Sequence, residues 1–194
     1  MQASMKKFNY AFYRRNAEIL ARDLIGAVLV HRRRGRVYRA RIVETEAYVG
    51  PHDLASHSSK GLTKRTEVMF GPAGHAYVYL IYGMYEMFNI VAGKTGSGQA
   101  VLVRAADPLD GWQADLSGPG RLTRGLGITR AHHGMDLTKD RLYILRGSGA
   151  MPRIRKTRRI GVDYAGAWKN RLLRFYDADS PTVTRHPAVR RKTS

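Results

Sequence analysis

The chain has 194 residues, 43% of them hydrophobic, enough for one domain with an ordinary buried core. It has no cysteine, which excludes disulfides and thiolate-held zinc, and no apolar run of bilayer-spanning length, since Gly83, Glu86 and Asn89 break the one that starts at Tyr77. Thirty-four Lys and Arg against 15 Asp and Glu leave a formal net charge of +19, spread along the chain, so the expected partner is a polyanion rather than a membrane.

The N-terminus lacks the apolar stretch of a signal peptide, so a cytoplasmic protein is expected, associated with the nucleoid if it is bacterial. Ala17, Leu20, Ala21, Leu24 and Ile25 recur at helical spacing between Asn16, placed to cap, and Gly26, placed to terminate. Ala27 to His31 and Val37 to Tyr48 read as two strands of a hairpin joined across the basic segment Arg32 to Arg36. Period-two alternation puts Ile42, Glu44 and Glu46 on one face of the second strand, so two carboxylates stand where apolar residues are expected. Ala76 to Tyr82, Glu86 to Ala92 and Gln99 to Ala106 form a meander, with a turn near Gly83-Met84 and a loop over 93–98. Gly118 to Arg124 reads as a short helix opened by Pro119; its free N–H groups, with Arg121 and Arg124, suit a phosphate as well as they suit an ordinary surface helix. The expected architecture is α+β: a curved, mainly antiparallel sheet with peripheral helices in a single domain over 1–186, then a mobile basic tail over 187–194.

Three blocks of sequence carry a resemblance. They are Arg41-Ile42-Val43-Glu44-Thr45-Glu46-Ala47-Tyr48-Val49-Gly50-Pro51 with Asp53 and Ala55-Ser56-His57; Met69-Phe70-Gly71-Pro72-Ala73-Gly74 leading into Tyr77 to Met84 and Asn89; and Ala100 to Ala105 extending to Gly118-Pro119-Gly120-Arg121-Leu122. With Arg159 to Gly166 and Leu173 to Tyr176 they make the chain similar to the alkyladenine (3-methyladenine, methylpurine) DNA glycosylases up to about residue 180. Ala73, Gly125 and His133 depart from the pattern, where proline, alanine and asparagine are usual.

The resemblance implies a hydrolase that flips an alkylated purine out of duplex DNA and cleaves its N-glycosidic bond, leaving an abasic site for base excision repair. Glu46 is implied as the base that activates water and stabilises the cationic sugar, with Arg104 beside it favouring the ionised carboxylate. Without the resemblance, Glu46 reads as a salt-bridged strand carboxylate and Arg104 as a counter-charge; Glu44 is expected to be structural. Tyr48 on one side and His57 with Tyr79 on the other would sandwich the base, which suits electron-poor, often cationic purines. Asn89 and Leu102 would form the pocket wall, Asn89 crowding the 2-amino group of guanine, although an inward amide also serves as a purely structural hydrogen-bonder. Tyr82 would be the wedge that enters the duplex, supported by Met69 and Met84; on pattern alone these read as a strand-end aromatic and core filler. Arg121, Arg124 and the basic residues of 153–159 would contact phosphates.

The resemblance implies no cofactor and no metal, since the spacing of His52, His57 and His75 matches no strong ligand motif. It implies a monomer acting on double-stranded DNA with a damaged purine: 3-methyladenine, and hypoxanthine or ethenoadenine if their departure is assisted. A carboxylate in place of an amine implies base release without strand cleavage. The competing readings are a basic nucleic-acid-binding protein without catalysis, which would not need this set of Glu, Arg and aromatic residues, and a zinc deaminase, which the lack of cysteine excludes.

Overall fold

The computed structural model describes residues 6–148 and 151–184, so the tail over 187–194 lies outside the described residues. After the single turn α1 (Tyr10–Tyr13), α2 (Ala17–Asp23) starts where Asn16 caps it, its side-chain oxygen accepting from Glu18 N at 2.8 Å. The chain then enters β1 (Val28–Arg33) and β2 (Arg36–Tyr48). Their connection is tighter than expected: Arg33 pairs with Arg36, leaving a two-residue turn of Arg34 and Gly35. The single turn α3 (Glu67–Phe70) precedes the meander β3 (Ala76–Ile81), β4 (Tyr85–Ala92) and β5 (Gln99–Pro108), and α4 (Pro119–Leu126) follows it. Three four-residue strands, β6 (Leu142–Leu145), β7 (Ile154–Thr157) and β8 (Arg174–Asp177), complete the sheet.

All eight strands belong to one antiparallel sheet in the order β3-β4-β5-β2-β1-β6, with β8 paired to β2 and β7 to β8. The architecture is therefore α+β with one curled sheet. β2 is its centre: it pairs with β5 along one side, and with β1 and then β8 along the other. The main core lies between one face of this sheet and the helices α2 and α4. Leu20 and Ala21 of α2, Leu24 just after it, and Leu122 and Leu126 of α4 bury against Ala40, Ile42 and Ala47 of β2, Phe88 and Ile90 of β4, and Val101 and Val103 of β5. The opposite face is free to carry polar chemistry. No helix among the described residues is long and apolar enough to cross a membrane.

A histidine pair closes the core beneath α4. His31 and His132 are both buried, with their Nε2 atoms 3.2 Å apart. His31 Nδ1 lies 2.8 Å from the carbonyl of Leu126, an acceptor only, so Nδ1 carries the proton and Nε2 accepts from His132 Nε2–H. His132 Nδ1 lies 3.1 Å from both Thr129 N and the Thr129 carbonyl, so it accepts from the first when neutral and can donate to the second when protonated. This chain of hydrogen bonds is complete with both rings neutral. Burial is the largest cause lowering both imidazoles below their usual value, and Arg33 and Arg141 add to it. His57 is lowered too, to about 4, by burial and then by Arg65. A folded pKa below the unfolded one means that the unfolded chain takes up protons first. The contribution of these histidines is complete above the unfolded value near 6.5 and is lost as pH falls from there through the folded values. The melting temperature is expected to drop between about pH 7 and about pH 5, and the drop to shrink in a His31→Gln, His132→Gln double variant; calorimetry at several pH values measures both.

Candidate active site

The polar face arises from a break in strand alternation. Ala40 and Ile42 face the main core, and so do Thr45, whose hydroxyl donates to the Ala21 carbonyl at 2.8 Å, and Ala47. Two residues, Val43 and Glu44, thus span a stretch that one would fill in a regular strand, and the β2–β5 register is irregular there. On β5, Val103 and Ala106 face the core, again with two residues between them. The register recovers beyond the break, Glu46 standing opposite Leu102 and Tyr48 opposite Ala100. The expectation that Ile42 shares a face with Glu44 and Glu46 is corrected by this break. Ile42 is core, and the two glutamates point the other way.

On that side lie six buried charges that balance. Glu44, Glu46 and Asp53 are fully buried, and Arg104, Arg159 and Arg174 are at most 6% exposed. Glu44 Oε1 accepts from Arg104 Nε at 3.0 Å and from Arg174 Nε at 2.6 Å, and its Oε2 accepts from Thr184 N at 2.7 Å, so Glu44 is an anchor for two guanidiniums. Asp53 receives both terminal nitrogens of Arg159, at 2.6 and 2.8 Å, and Arg159 also donates to the Ala47 carbonyl at 2.9 Å. Taking a lone ion of this kind out of water costs several kcal/mol, so each is held only because its partners are. Burial opposes the charge on Arg104, but Glu46 and Glu44 outweigh it and hold the guanidinium above its usual value.

Glu46 accepts two hydrogen bonds, against three on Glu44, and has one further ion-pair contact. Its Oε1 accepts from Ile160 N at 2.8 Å; its Oε2 accepts from the Tyr48 hydroxyl at 3.0 Å and is 3.3 Å from Arg104 Nη1. A carboxylate offers about four acceptor positions, so one remains. Tyr48, Arg104 and Ile160 form part of the wall of a cavity of about 380 Å³ behind which Glu46 sits. Burial first, then Glu46, pushes the Tyr48 phenol up, so it stays protonated and donates.

The same cavity is lined by His57, Tyr79, Asn89 and Leu102. His57 and Tyr79 meet edge to face, ring centroids 4.4 Å apart, and His57 Nδ1 lies 2.9 Å from the Tyr77 hydroxyl. Arg159 lies over the Tyr48 ring at 4.8 Å and Arg65 over the Tyr79 ring at 5.4 Å. Asn89 Nδ2 donates to the carbonyls of Tyr77 and Met87, at 3.2 and 3.3 Å, which leaves its Oδ1 as the acceptor available to the cavity. The two histidines weighed with His57 as metal ligands are elsewhere: His52 packs on Trp168, and His75 Nδ1 lies against the Pro72 carbonyl.

At the cavity mouth, Tyr82 and Gly83 turn the chain from β3 into β4 with φ of 52° and 70°, both positive, as in hairpin turns of the primed types. Tyr82 is 82% and Met84 66% exposed. Met69 is not at this turn; it is buried with Tyr77, Val91 and Ala100 and contributes to the cavity wall. The hairpin leans on α4. A Cβ on Gly120 would stand 2.8 Å from the Tyr85 ring, and the Thr123 hydroxyl donates to the Glu86 carbonyl at 2.9 Å. Arg124 is exposed on α4 with no ion pair among the described residues, whereas Arg121 is 3.4 Å from Asp115 and donates to the Ser117 carbonyl.

Of the basic residues over 153–159, expected to contact phosphates, Arg159 is instead buried on Asp53, while Arg153 and Lys156 are exposed and pair with Asp179 and Glu18. Asp53, Arg159, Arg174, Tyr164 and the Ile160 amide belong to the site without having been assigned to it from sequence. Asp53 and Arg159 stand inside the matching blocks, but nothing in a basic run marks which arginine is buried.

The model of the Methylpurine-DNA glycosylase (MPG) family matches residues 11–181. A protein of Myxococcus xanthus (strain DK1622) named "Putative 3-methyladenine DNA glycosylase" is 50% identical over 186 residues, covering 94% of this chain and 95% of its own. Relatives of the same name from Legionella pneumophila (strain Corby) and Methanocella arvoryzae are 48% and 46% identical, covering 93% and 90% of this chain and 100% and 94% of theirs. With a family match over most of its length and relatives this similar, the chain belongs to the methylpurine-DNA glycosylase family.

Proposed function

We propose that the cavity receives one damaged purine swung out of duplex DNA, and that Glu46 activates the water that replaces it on the sugar. The observation that carries this reading is an aromatic-walled cavity of base size with a buried carboxylate behind one wall and an exposed tyrosine turn at its mouth. Tyr48, His57 and Tyr79 offer faces and edges on which a flat heterocycle stacks, and the rest of the lining is largely apolar. The free acceptor position of Glu46 takes the proton of a water whose oxygen attacks C1′ of the deoxyribose. The bond from C1′ to the base nitrogen breaks, its electron pair leaving with the base. A cationic 3-methyladenine departs neutral, whereas hypoxanthine or ethenoadenine leaves as an anion unless a proton reaches it. Arg104, shared between Glu44 and Glu46, keeps the carboxylate in place while positive charge grows on the sugar.

Tyr82 would fill the space left in the duplex, with Met84 beside it and Met69 in the cavity wall. The net charge of +19, with Arg124 exposed on α4, supplies the attraction for phosphates. All these groups come from one chain, which supports action as a monomer. Among the described residues no lysine lines the cavity, which supports release of the base without a Schiff base and without strand cleavage.

Free base is expected from duplexes carrying 3-methyladenine, hypoxanthine or ethenoadenine, and Glu46→Gln is expected to slow single-turnover release by roughly 100-fold or more while still binding the lesion. Because glutamine brings an amide N–H₂ among the donors of Tyr48, Arg104 and Ile160, its melting curve has to accompany the assay; loss of release in a folded, lesion-binding variant identifies the base. Tyr82→Ala should cost roughly ten-fold on duplex DNA and much less on single strands, where the base is already unstacked. Borohydride added during turnover should trap no protein–DNA adduct; a trapped adduct would show that an amine takes part.

A further inference from the structure

Arg65 is a charge at the cavity that the balanced interior does not account for. The three buried carboxylates are matched by Arg104, Arg159 and Arg174, whereas Arg65 is exposed and has no ion pair among the described residues. Its neighbours Lys60 and Lys64 are exposed as well, and the nearby Glu67 makes no ion pair with it. The segment that carries it is firmly held. Thr63 N donates to Thr66 Oγ1 at 2.9 Å, the Thr66 hydroxyl donates to the Gly61 carbonyl at 2.8 Å, and Glu67 N donates to the Thr63 carbonyl at 2.9 Å. From this held backbone the guanidinium reaches over the Tyr79 ring, 5.4 Å from its centroid. Beside it, His57 is neutral, held down at about 4 by burial and then by Arg65 itself.

The Tyr79 ring, on which the base would stack, therefore has a positive charge against it. A guanidinium over Tyr79 already occupies the electron-rich ring that would attract a cation, and it repels a second positive charge brought alongside. We propose that Arg65 is a specificity-determining residue that lowers the preference for cationic damaged purines relative to neutral ones. The inference rests on the reading that the cavity receives the base. It differs from a phosphate contact, which would help every substrate alike.

The test compares single-turnover release of 7-methylguanine, a cation, and hypoxanthine, a neutral base, from duplexes of one sequence by the native chain, Arg65→Gln and Arg65→Lys. The ratio of 7-methylguanine to hypoxanthine release is expected to rise about 3- to 10-fold in Arg65→Gln, as for one screened charge at close range, and to stay near the native ratio in Arg65→Lys. The rise should shrink as salt is added, since Arg65 faces solvent. An equal fall for both bases, leaving the ratio unchanged, would make Arg65 a phosphate contact and overturn the proposal. Release of neither base by the native chain would instead overturn the reading of the cavity, and the proposal with it. Arg65→Gln removes an exposed charge and its contact with the Tyr79 ring but no buried group, so its melting temperature should stay close to the native one.

Discussion

Glu46 can be buried as an ion because guanidiniums are buried with it. A carboxylate set into the middle of a sheet and away from water is tolerable only when matched, and here the matching is cooperative. Arg104 reaches both Glu44 and Glu46, Arg174 completes Glu44, and Asp53 holds Arg159 beside the segment whose Ile160 amide binds Glu46. β2, β5, β8, the stretch after β2 and the segment before residue 160 are thereby tied to one another by charge as well as by the backbone ladder. Removing any one member leaves its partner uncompensated, so the network enforces a single arrangement of the groups around the cavity.

The fold supplies two faces with different duties. One face of the curled sheet packs on α2 and α4 as a conventional apolar core, and the paired irregularity in β2 and β5 turns Glu44, Glu46 and Arg104 away from that core without altering the register beyond it. A regular alternation would have put either Ile42 or the glutamates on the wrong side. The aromatic side chains of the cavity wall are kept uncharged by the same burial that makes the wall: Tyr48 and Tyr79 are held in the phenol form and His57 in the imidazole form. A DNA glycosylase thus presents a neutral aromatic slot in front of an ionic layer.

Much of this was legible in the residues. Helical spacing over 17–25 and the capping Asn16 located α2, and aromatic and β-branched runs located the meander. The short strands β6 to β8 were not foreseen, because four residues such as Ile154-Arg155-Lys156-Thr157 have no periodicity to detect and are ordered by the neighbour they pair with. The break at Val43-Glu44 was missed for a related reason: alternation read along one strand cannot reveal where it slips. Resemblance singled out Tyr48, His57, Tyr79, Asn89, Leu102 and Arg104, which the structure gathers around one cavity with Glu46 behind its wall. It gave no warning that Arg159 is buried while Arg124 is exposed, since that difference depends on Asp53, more than a hundred residues away from Arg159 in sequence.

The position of β2 has a consequence for motion. Paired on both sides through its middle, it exchanges the amide protons there with solvent only when much of the sheet comes apart, and Glu46, opposite both Leu102 and Arg174, shares that slow opening. β3 is an edge strand, and the Tyr82 turn projects from its end with little packed against it. The tip of the hairpin can therefore fluctuate locally on a fast timescale while the groups behind the cavity stay fixed, so that the proposed DNA contact and the proposed chemistry draw on parts of the sheet with different rigidity.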